Sequence, residues 1–393
     1  MVILLFAFLA ATMAFRRALN PGVPFVMMGR SLDEINSLRA GEIKALLQEK
    51  GQSTRGLFEK SELAAKLFEV ESGEAPTSSL GDLVGPMMEV PLLDIPLGKG
   101  GVNDKFYCGV EVRISGKSYR MIVDTAASMN LIKQNVVAEA GLATQSAGVS
   151  QTTIGMGGTG SIAAKVCCVP ECILAPGVSL SSLDFAILDS SASLPQGCDG
   201  LVGLSFLAAL PGSLSEFDFD RQILRAGMDK LPPAGDFAPI LLRRLFTGLR
   251  ACDALLTSAQ GETAAIAALV DLGSSYTILN SKAVELLCPG QVLGKLAPSG
   301  MKVAGIDGRP VDLKKITLQS ISLGGGARFK LARPIDVFAG DIAGFSAIGL
   351  GPTVPAALLG MDVLAGSVDG GRARRGTLCL DLKGDFMYLK RRA

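Results

Sequence analysis

The sequence predicts a mainly β protein built as two similar lobes in tandem, a pseudo-dimer within one chain, preceded by a small α-helical unit. Three observations carry this prediction. From about residue 88 onward, short runs of alternating apolar and polar residues lie between Gly-, Pro- and Ser-rich turns, the pattern of half-buried strands. A turn-rich stretch, RAGMDKLPPAGDF, divides this region into halves of similar length. The halves then repeat four sequence elements in one order, as expected if each encodes the same structural unit.

Residues 1–30 read as a targeting segment. Val2 to Ala11 is an apolar run too short to span a bilayer, with small residues up to Ala14 suited to signal cleavage. The stretch that follows carries Arg16, Arg17 and Arg30 and no acid. With Phe15 after the cleavage point, it resembles the bipartite signal-plus-transit leader of algae with secondary plastids. A secreted or endomembrane destination is the alternative, and no transmembrane segment is expected after processing.

Residues 31–72 read as helices. Ser31 and Glu34 fit a capping box ahead of Ile35 and Leu38. A second helix places Ile43, Leu46 and Leu47 on one face and stops at Gly51. A third, near Ser61, carries Leu63, Leu67 and Phe68. The stretch EIKALLQEKGQSTRGLFEKSELAAKLFE resembles SAP-like helix-loop-helix modules, some of which bind DNA. Here Arg30, Arg39, Lys44, Lys50, Arg55, Lys60 and Lys66 are outnumbered by Asp33, Glu34, Glu42, Glu49, Glu59, Glu62, Glu69 and Glu71, which favours a protein partner or a structural role over nucleic acid. Residues 73–87, rich in Gly, Pro and Ser, read as a linker.

The first lobe is expected over 88–225 and the second over 238–393, with 226–237 between them. In the first, Val110 to Ile114, a turn at Ser115-Gly116-Lys117 and Tyr119 to Val123 form a hairpin that delivers Asp124 at a strand end. Val123-Asp124 followed by Ser128, Leu131 and Ile132 aligns without a gap on Val270-Asp271 followed by Ser275, Ile278 and Leu279. Each half continues with a Gly-rich hairpin, TTIGMGGTGSIAAKV and MKVAGIDGRPVDLKKI. Each then has two apolar residues and a glycine, in DGLVGLSFLA and AALLGMDVLA. Each closes on an alternating strand, EFDFDRQIL and LCLDLKGDFMYL.

Composition narrows the chemistry. Of 393 residues 48% are hydrophobic and 19% charged, with a formal net charge of +1, so there is no electrostatic footprint for nucleic acid. Histidine is absent, which removes Ser-His-Asp and Cys-His nucleophiles and His-ligated zinc. The eight cysteines contain no CxxC pair, so a metal site is not expected; they read as small buried residues, with one or two disulfides open in an oxidising compartment.

A strand ending in Asp-Thr/Ser-Gly, a flap hairpin and an apolar-apolar-Gly strand make up the lobe of retropepsins and pepsins, and residues 88–393 resemble two such lobes fused. The resemblance implies an aspartic endopeptidase acting on extended polypeptides, monomeric and without a cofactor, with Asp124 and Asp271 as the catalytic pair. Thr125, Ala126, Ser128, Gly273, Ser274 and Ser275 would support the two loops. Gly155, Met156, Gly157 and Gly158 would form one flap, with Gly305 and Ile306 in the other. Two departures stand out. Ala126 replaces the family's glycine, and Leu272 replaces the hydroxyl residue that interlocks with its counterpart beneath the pair. Thr125 would then reach across to no partner hydroxyl, while Ser274 remains able to bond Asp271. Two other readings stay open: a pseudoprotease that binds peptides, and an adaptor whose function lies in the SAP-like unit.

Residues 1–30 fused to a fluorescent protein should reach the plastid of a suitable alga, and residues 1–14 alone should stop in the secretory pathway. Delivery of the longer fusion outside the cell would reject the plastid reading.

Overall fold

In the computed structural model the chain divides into two units, Met1–Leu83 and Val84–Ala393. The structure describes residues 38, 42–43, 46–47 and 67 of the first unit. Of the second it describes 87–96, 106–146, 151–155, 158–162, 165–188, 194–212, 214–228, 231–233, 235–245, 248–304, 310–324, 329–331, 334–351, 353–365 and 376–391. In the first unit Glu42, Ile43, Leu46, Leu47 and Leu67 are helical. Ile43 and Leu47, four apart and therefore on one helix face, are buried, as is Leu67. The remainder of the SAP-like reading, the leader and the linker up to residue 86 lie outside the described residues.

In the second unit, β1 (Met88–Pro96) leads into β2 (Phe106–Ile114) and β3 (Lys117–Val123). Ser115 and Gly116 both have positive φ, 49° and 81°, the left-handed pair that matches the twist of a two-residue hairpin. Next come β4 (Asn130–Lys133), α1 (Gln134–Glu139), β5 (Thr144–Ser146), β6 (Gln151–Gly155), β7 (Gly158–Ile162), β8 (Lys165–Ala175) and β9 (Val178–Leu188). The first lobe continues with β10 (Gly200–Val202) and α2 (Leu204–Ala209), then β11 (Leu214–Asp218) and β12 (Ile223–Met228). The second lobe begins with β13 (Phe237–Leu241), β14 (Arg243–Arg244), β15 (Arg250–Ser258), β16 (Thr263–Val270), β17 (Ile278–Leu279) and α3 (Ser281–Leu287). It continues with β18 (Pro298–Ala304), β19 (Pro310–Leu323), β20 (Phe329–Leu331), β21 (Ile335–Ala339) and α4 (Ala343–Ala347). It ends with β22 (Ala356–Leu359), α5 (Met361–Leu364), β23 (Thr377–Asp381) and β24 (Phe386–Lys390).

Each lobe closes into a six-stranded barrel. The first runs β2-β3-β10-β4-β9-β8 and closes by pairing β8 with β2; the second runs β15-β16-β22-β17-β21-β19 and closes β19 on β15. The strand before each aspartate pairs in parallel with the apolar-apolar-Gly strand, Val123 opposite Val202 and Val270 opposite Leu359. β10 and β22 are buried at every position, which is why they read as unbroken apolar runs rather than alternating ones.

The glycine that ends each run has a steric cause. A β-carbon on Gly203 would lie 2.5 Å from the carbonyl oxygens of Ala127 and Met129. One on Gly360 would lie 2.4 Å from the Tyr276 carbonyl. In both lobes the aspartate loop presses on this backbone, and no side chain fits between.

The sequence suggested that each half ends on its own alternating strand. In the structure those two strands pair with each other, Phe217 of β11 opposite Leu378 of β23. They form the middle of a sheet ordered β13-β24-β23-β11-β12-β1, which draws strands from both lobes. β12 extends to Met228, with Ala226 opposite Met88, so part of the stretch read as a break is strand. Arg225 ties this sheet together, bonding Glu89 at 2.8 Å, Glu216, and Asp218 at 3.4 Å. One apolar cluster runs through both barrels and includes Val123, Ala126, Val270 and Leu272. All eight cysteines are free thiols, and of these Cys168 alone is exposed.

Gly203→Ala and Gly360→Ala should each destabilise the protein by about 1–3 kcal/mol through overpacking, whereas Gly294→Ala, whose β-carbon would meet nothing within 4 Å, should be nearly neutral. Thermal denaturation of the three variants checks this.

Candidate active site

The two aspartate loops are built alike, bond for bond. The Asp124 N–H donates to the Val202 carbonyl at 2.9 Å, and the Asp271 N–H to the Leu359 carbonyl at 3.0 Å. The Ala127 carbonyl accepts from Leu204 N–H at 2.8 Å, and the Ser274 carbonyl from Met361 N–H at 2.7 Å. Six residues beyond each aspartate a polar side chain holds the glycine strand: Asn130 Oδ1 accepts from Gly203 N–H at 3.0 Å, and Thr277 Oγ1 from Gly360 N–H at 3.1 Å. Each carboxyl group is then turned by its own loop. Asp124 Oδ1 accepts from Ala126 N–H at 2.8 Å, and Asp271 Oδ1 from Gly273 N–H at 2.7 Å.

These loops bring the two carboxyl groups within hydrogen-bonding reach of each other across the lobes. Close approach depends on Gly273, where a β-carbon would lie 2.6 Å from Asp124 Cγ and 2.9 Å from its Oδ1. Thr125 clasps the opposite loop. Its hydroxyl donates to the Val270 carbonyl at 2.8 Å and accepts from the Leu272 N–H at 3.0 Å. The loss of the partner hydroxyl at Leu272 therefore leaves Thr125 satisfied, because its partners are backbone atoms of the other lobe. Leu272 itself is fully buried in the apolar cluster.

The remaining expected residues fall in different places. The Ser274 hydroxyl donates to the Tyr276 carbonyl at 2.7 Å and accepts from the Tyr276 N–H at 3.3 Å. Ser274 supports Asp271 with its backbone N–H and not with its hydroxyl as expected. Ser275 is buried, whereas Ser128 is exposed. Gly155 and Gly158 pair at the end of the β6–β7 hairpin, and this hairpin passes beside α4 of the second lobe. Met156, Gly157, Gly305 and Ile306 lie outside the described residues.

Sequence reasoning missed several participants. Asn130 and Thr277 share the offset of six from their aspartates, a signal present in the repeat but masked by their different chemistry. Asp362 accepts from the Thr277 hydroxyl at 2.7 Å and its N–H at 2.9 Å, which fixes Thr277. Burial first, then the neighbouring Cys198, Asp271 and Tyr276, push the phenol of Tyr107 on β2 up to about 12. Tyr276 in turn packs edge-on against Phe338, with ring centroids 4.9 Å apart.

Burial pushes Asp124 up to about 6, with the Ala126 N–H, the Asp271 carboxyl and the Ala127 N–H opposing it. Burial, reinforced by the charge of Asp124, holds Asp271 well above the usual carboxylate range. The folded chain thus binds protons here more tightly than the unfolded chain, whose aspartates titrate near 3.9. The pair's contribution to stability is fully present below about pH 4 and is lost as pH rises through about 6. In calorimetry, the melting temperature of the parent should fall over this window more than that of the Asp124→Asn, Asp271→Asn double variant. Equal falls would show that the buried pair is not the source.

Residues 110–206 match the Aspartyl protease family, about a quarter of the chain and most of the first barrel. No curated protein matches the sequence. Among solved structures, basic 7S globulin from soybean is 11% identical with a TM-score of 0.43, covering 77% of this chain and 94% of that one. Conglutin gamma, a basic 7S globulin from lupine seeds, is 11% identical with a TM-score of 0.41, covering 78% and 95%. The aspartic proteinase from Irpex lacteus is 14% identical with a TM-score of 0.43, covering 78% and 98%. The family match thus lies over the first lobe, and the barrel and aspartate loop of that lobe are repeated in the second.

Proposed function

We propose that the protein is an aspartic endopeptidase that hydrolyses peptide bonds in extended polypeptide segments, with Asp124 and Asp271 as its catalytic pair. The observation that carries this reading is the abutment of the two carboxyl groups, each oriented by the N–H two residues ahead. Two carboxyl groups this close do not both ionise and hold one proton between them, the logic of aspartic proteases generally. The ionised member takes a proton from a water molecule as the water oxygen bonds to the scissile carbonyl carbon. The protonated member gives its proton to the carbonyl oxygen. The tetrahedral diol then collapses: one hydroxyl gives its proton to the ionised carboxylate as the C=O bond reforms, the C–N bond breaks, and the leaving nitrogen takes the proton that the other carboxyl group received from water, which restores the singly protonated pair. Both carboxylates come from one chain, so a monomer contains the full pair. The β6–β7 hairpin suits closure over an extended substrate strand.

A second reading, a pseudoprotease that retains peptides without cutting them, draws on Ala126 and Leu272, where both loops depart from the family pattern.

The purified protein should cleave a denatured protein substrate at mildly acidic pH, and a pepstatin-type inhibitor, which mimics the tetrahedral adduct, should block it. Asp124→Asn and Asp271→Asn should each lower turnover by roughly a thousandfold or more. Cleavage that survives both substitutions rejects the pair as the catalyst. Inhibitor and peptide binding without turnover in the parent supports the second reading.

A further inference from the structure

Every described strand of the second unit but two belongs to one of the two large sheets. The exceptions are β6 and β7, which pair only with each other. The hairpin at the matching place in the second lobe is built differently. Its strand β19 runs unbroken for 14 residues and pairs with β15, β18, β20 and β21, so that hairpin is continuous with its barrel. A two-stranded hairpin without a ladder to a larger sheet is marginal in water. The β6–β7 hairpin also carries Gly155, Gly158 and Gly160, which have no side chains to pack across the strands. Its support has to come from outside its own ladder.

Much of that support lies in the opposite lobe. Both hairpin strands pass beside α4, while β7 also passes β9 of its own barrel. The α4 segment is itself firmly seated. Ile342, Phe345, Ile348 and Leu350 are buried in the apolar cluster. The Leu350 N–H donates to the Phe345 carbonyl at 2.8 Å, and Gly349, at a φ of 82°, turns the chain out of the helix. A strand pair with no ladder of its own to a barrel therefore meets a fixed shelf on the other lobe.

In the same structure the aspartates are shut off. Asp124 keeps 5% of its surface exposed and Asp271 none. A peptide carbonyl cannot come within hydrogen-bonding distance of a carboxyl group that solvent does not touch, so a substrate requires an opening. Parting the barrels would break the β11–β23 ladder and the Thr125 clasp. Lifting the β6–β7 hairpin from α4 breaks no ladder. We propose that α4 is a latch: the β6–β7 hairpin rests on it across the junction of the lobes, this contact closes the protein to polypeptides, and release of the hairpin from α4 opens it. Resting on the peptidase reading, the latch makes the substrate-free protein self-closed, and a bound peptide strand competes with α4 for the hairpin. The β18–β19 hairpin takes no part in the opening, because β19 is barrel wall.

The test uses the full-length protein with the exposed thiol removed by Cys168→Ser. Ser346→Cys places a thiol at an exposed position of α4. Thr152→Cys, Thr153→Cys, Thr159→Cys and Ser161→Cys, one at a time, place the second on the hairpin. A short bismaleimide with a reducible spacer should join at least one of these pairs in the substrate-free protein. The joined protein should bind pepstatin at least about tenfold more weakly, because its open state has been removed, and reductant should restore binding. Without the cross-link, deuterium exchange should be roughly a hundredfold faster over 151–162 than over 313–323. Failure of all four pairs to join, or unchanged pepstatin affinity in a joined protein, overturns the latch. Should Ser346→Cys not fold by circular dichroism, the exchange comparison decides alone, and equal rates in the two segments overturn the latch. A parent that cuts nothing and binds no pepstatin, yet cross-links and exchanges as described, supports the latch and overturns the peptidase reading, so the two fail separately.

Discussion

Two carboxyl groups buried side by side at the junction of two barrels are the constraint around which the second unit is arranged. Burial alone makes the pair unfavourable, since both carboxylates lose water and repel one another. The structure answers with fixed donors: Ala126 N–H on Asp124 and Gly273 N–H on Asp271, each at 2.7–2.8 Å. On the proposed reading the pair also shares a single proton. Neither answer holds unless the two loops keep their spacing, so the surrounding architecture serves to hold two turns of chain in register.

The barrels do this with strands buried on every side. β3 and β16 deliver the aspartates, and β10 and β22 run parallel beside them, accepting each aspartate N–H at the strand end. Asn130 and Thr277 then lock the glycine that follows to its loop. Because Gly203 and Gly360 have no side chain, loop and strand backbones touch directly, and little slack remains for the carboxyl groups to drift. The sheet that pairs β11 with β23 adds a second connection between the halves, away from the aspartates.

Across the junction the two loops divide the work. The first supplies a hydroxyl, and Thr125 bonds two backbone atoms of the second lobe. The second supplies a glycine, and Gly273 lets backbone lie against Asp124. Leu272 fills apolar volume where a second hydroxyl would sit in the family pattern. The pair is therefore held by one clasp and one close approach.

Much of this was legible in the chain itself. The gap-free repeat of Val123-Asp124 on Val270-Asp271, with apolar-apolar-Gly elements downstream, determined two like lobes and named both aspartates, because strand periodicity and glycine sterics are local properties that sequence records directly. The absence of histidine determined which chemistries were closed. Tertiary structure alone decided the rest. That Thr125 finds backbone rather than hydroxyl partners, that Asp362 fixes Thr277 and that the closing strands pair with each other all depend on contacts between residues far apart in the chain. Such contacts leave no periodic mark, and backbone carbonyl and N–H groups, present at nearly every position, cannot be distinguished as partners until the fold has chosen among them.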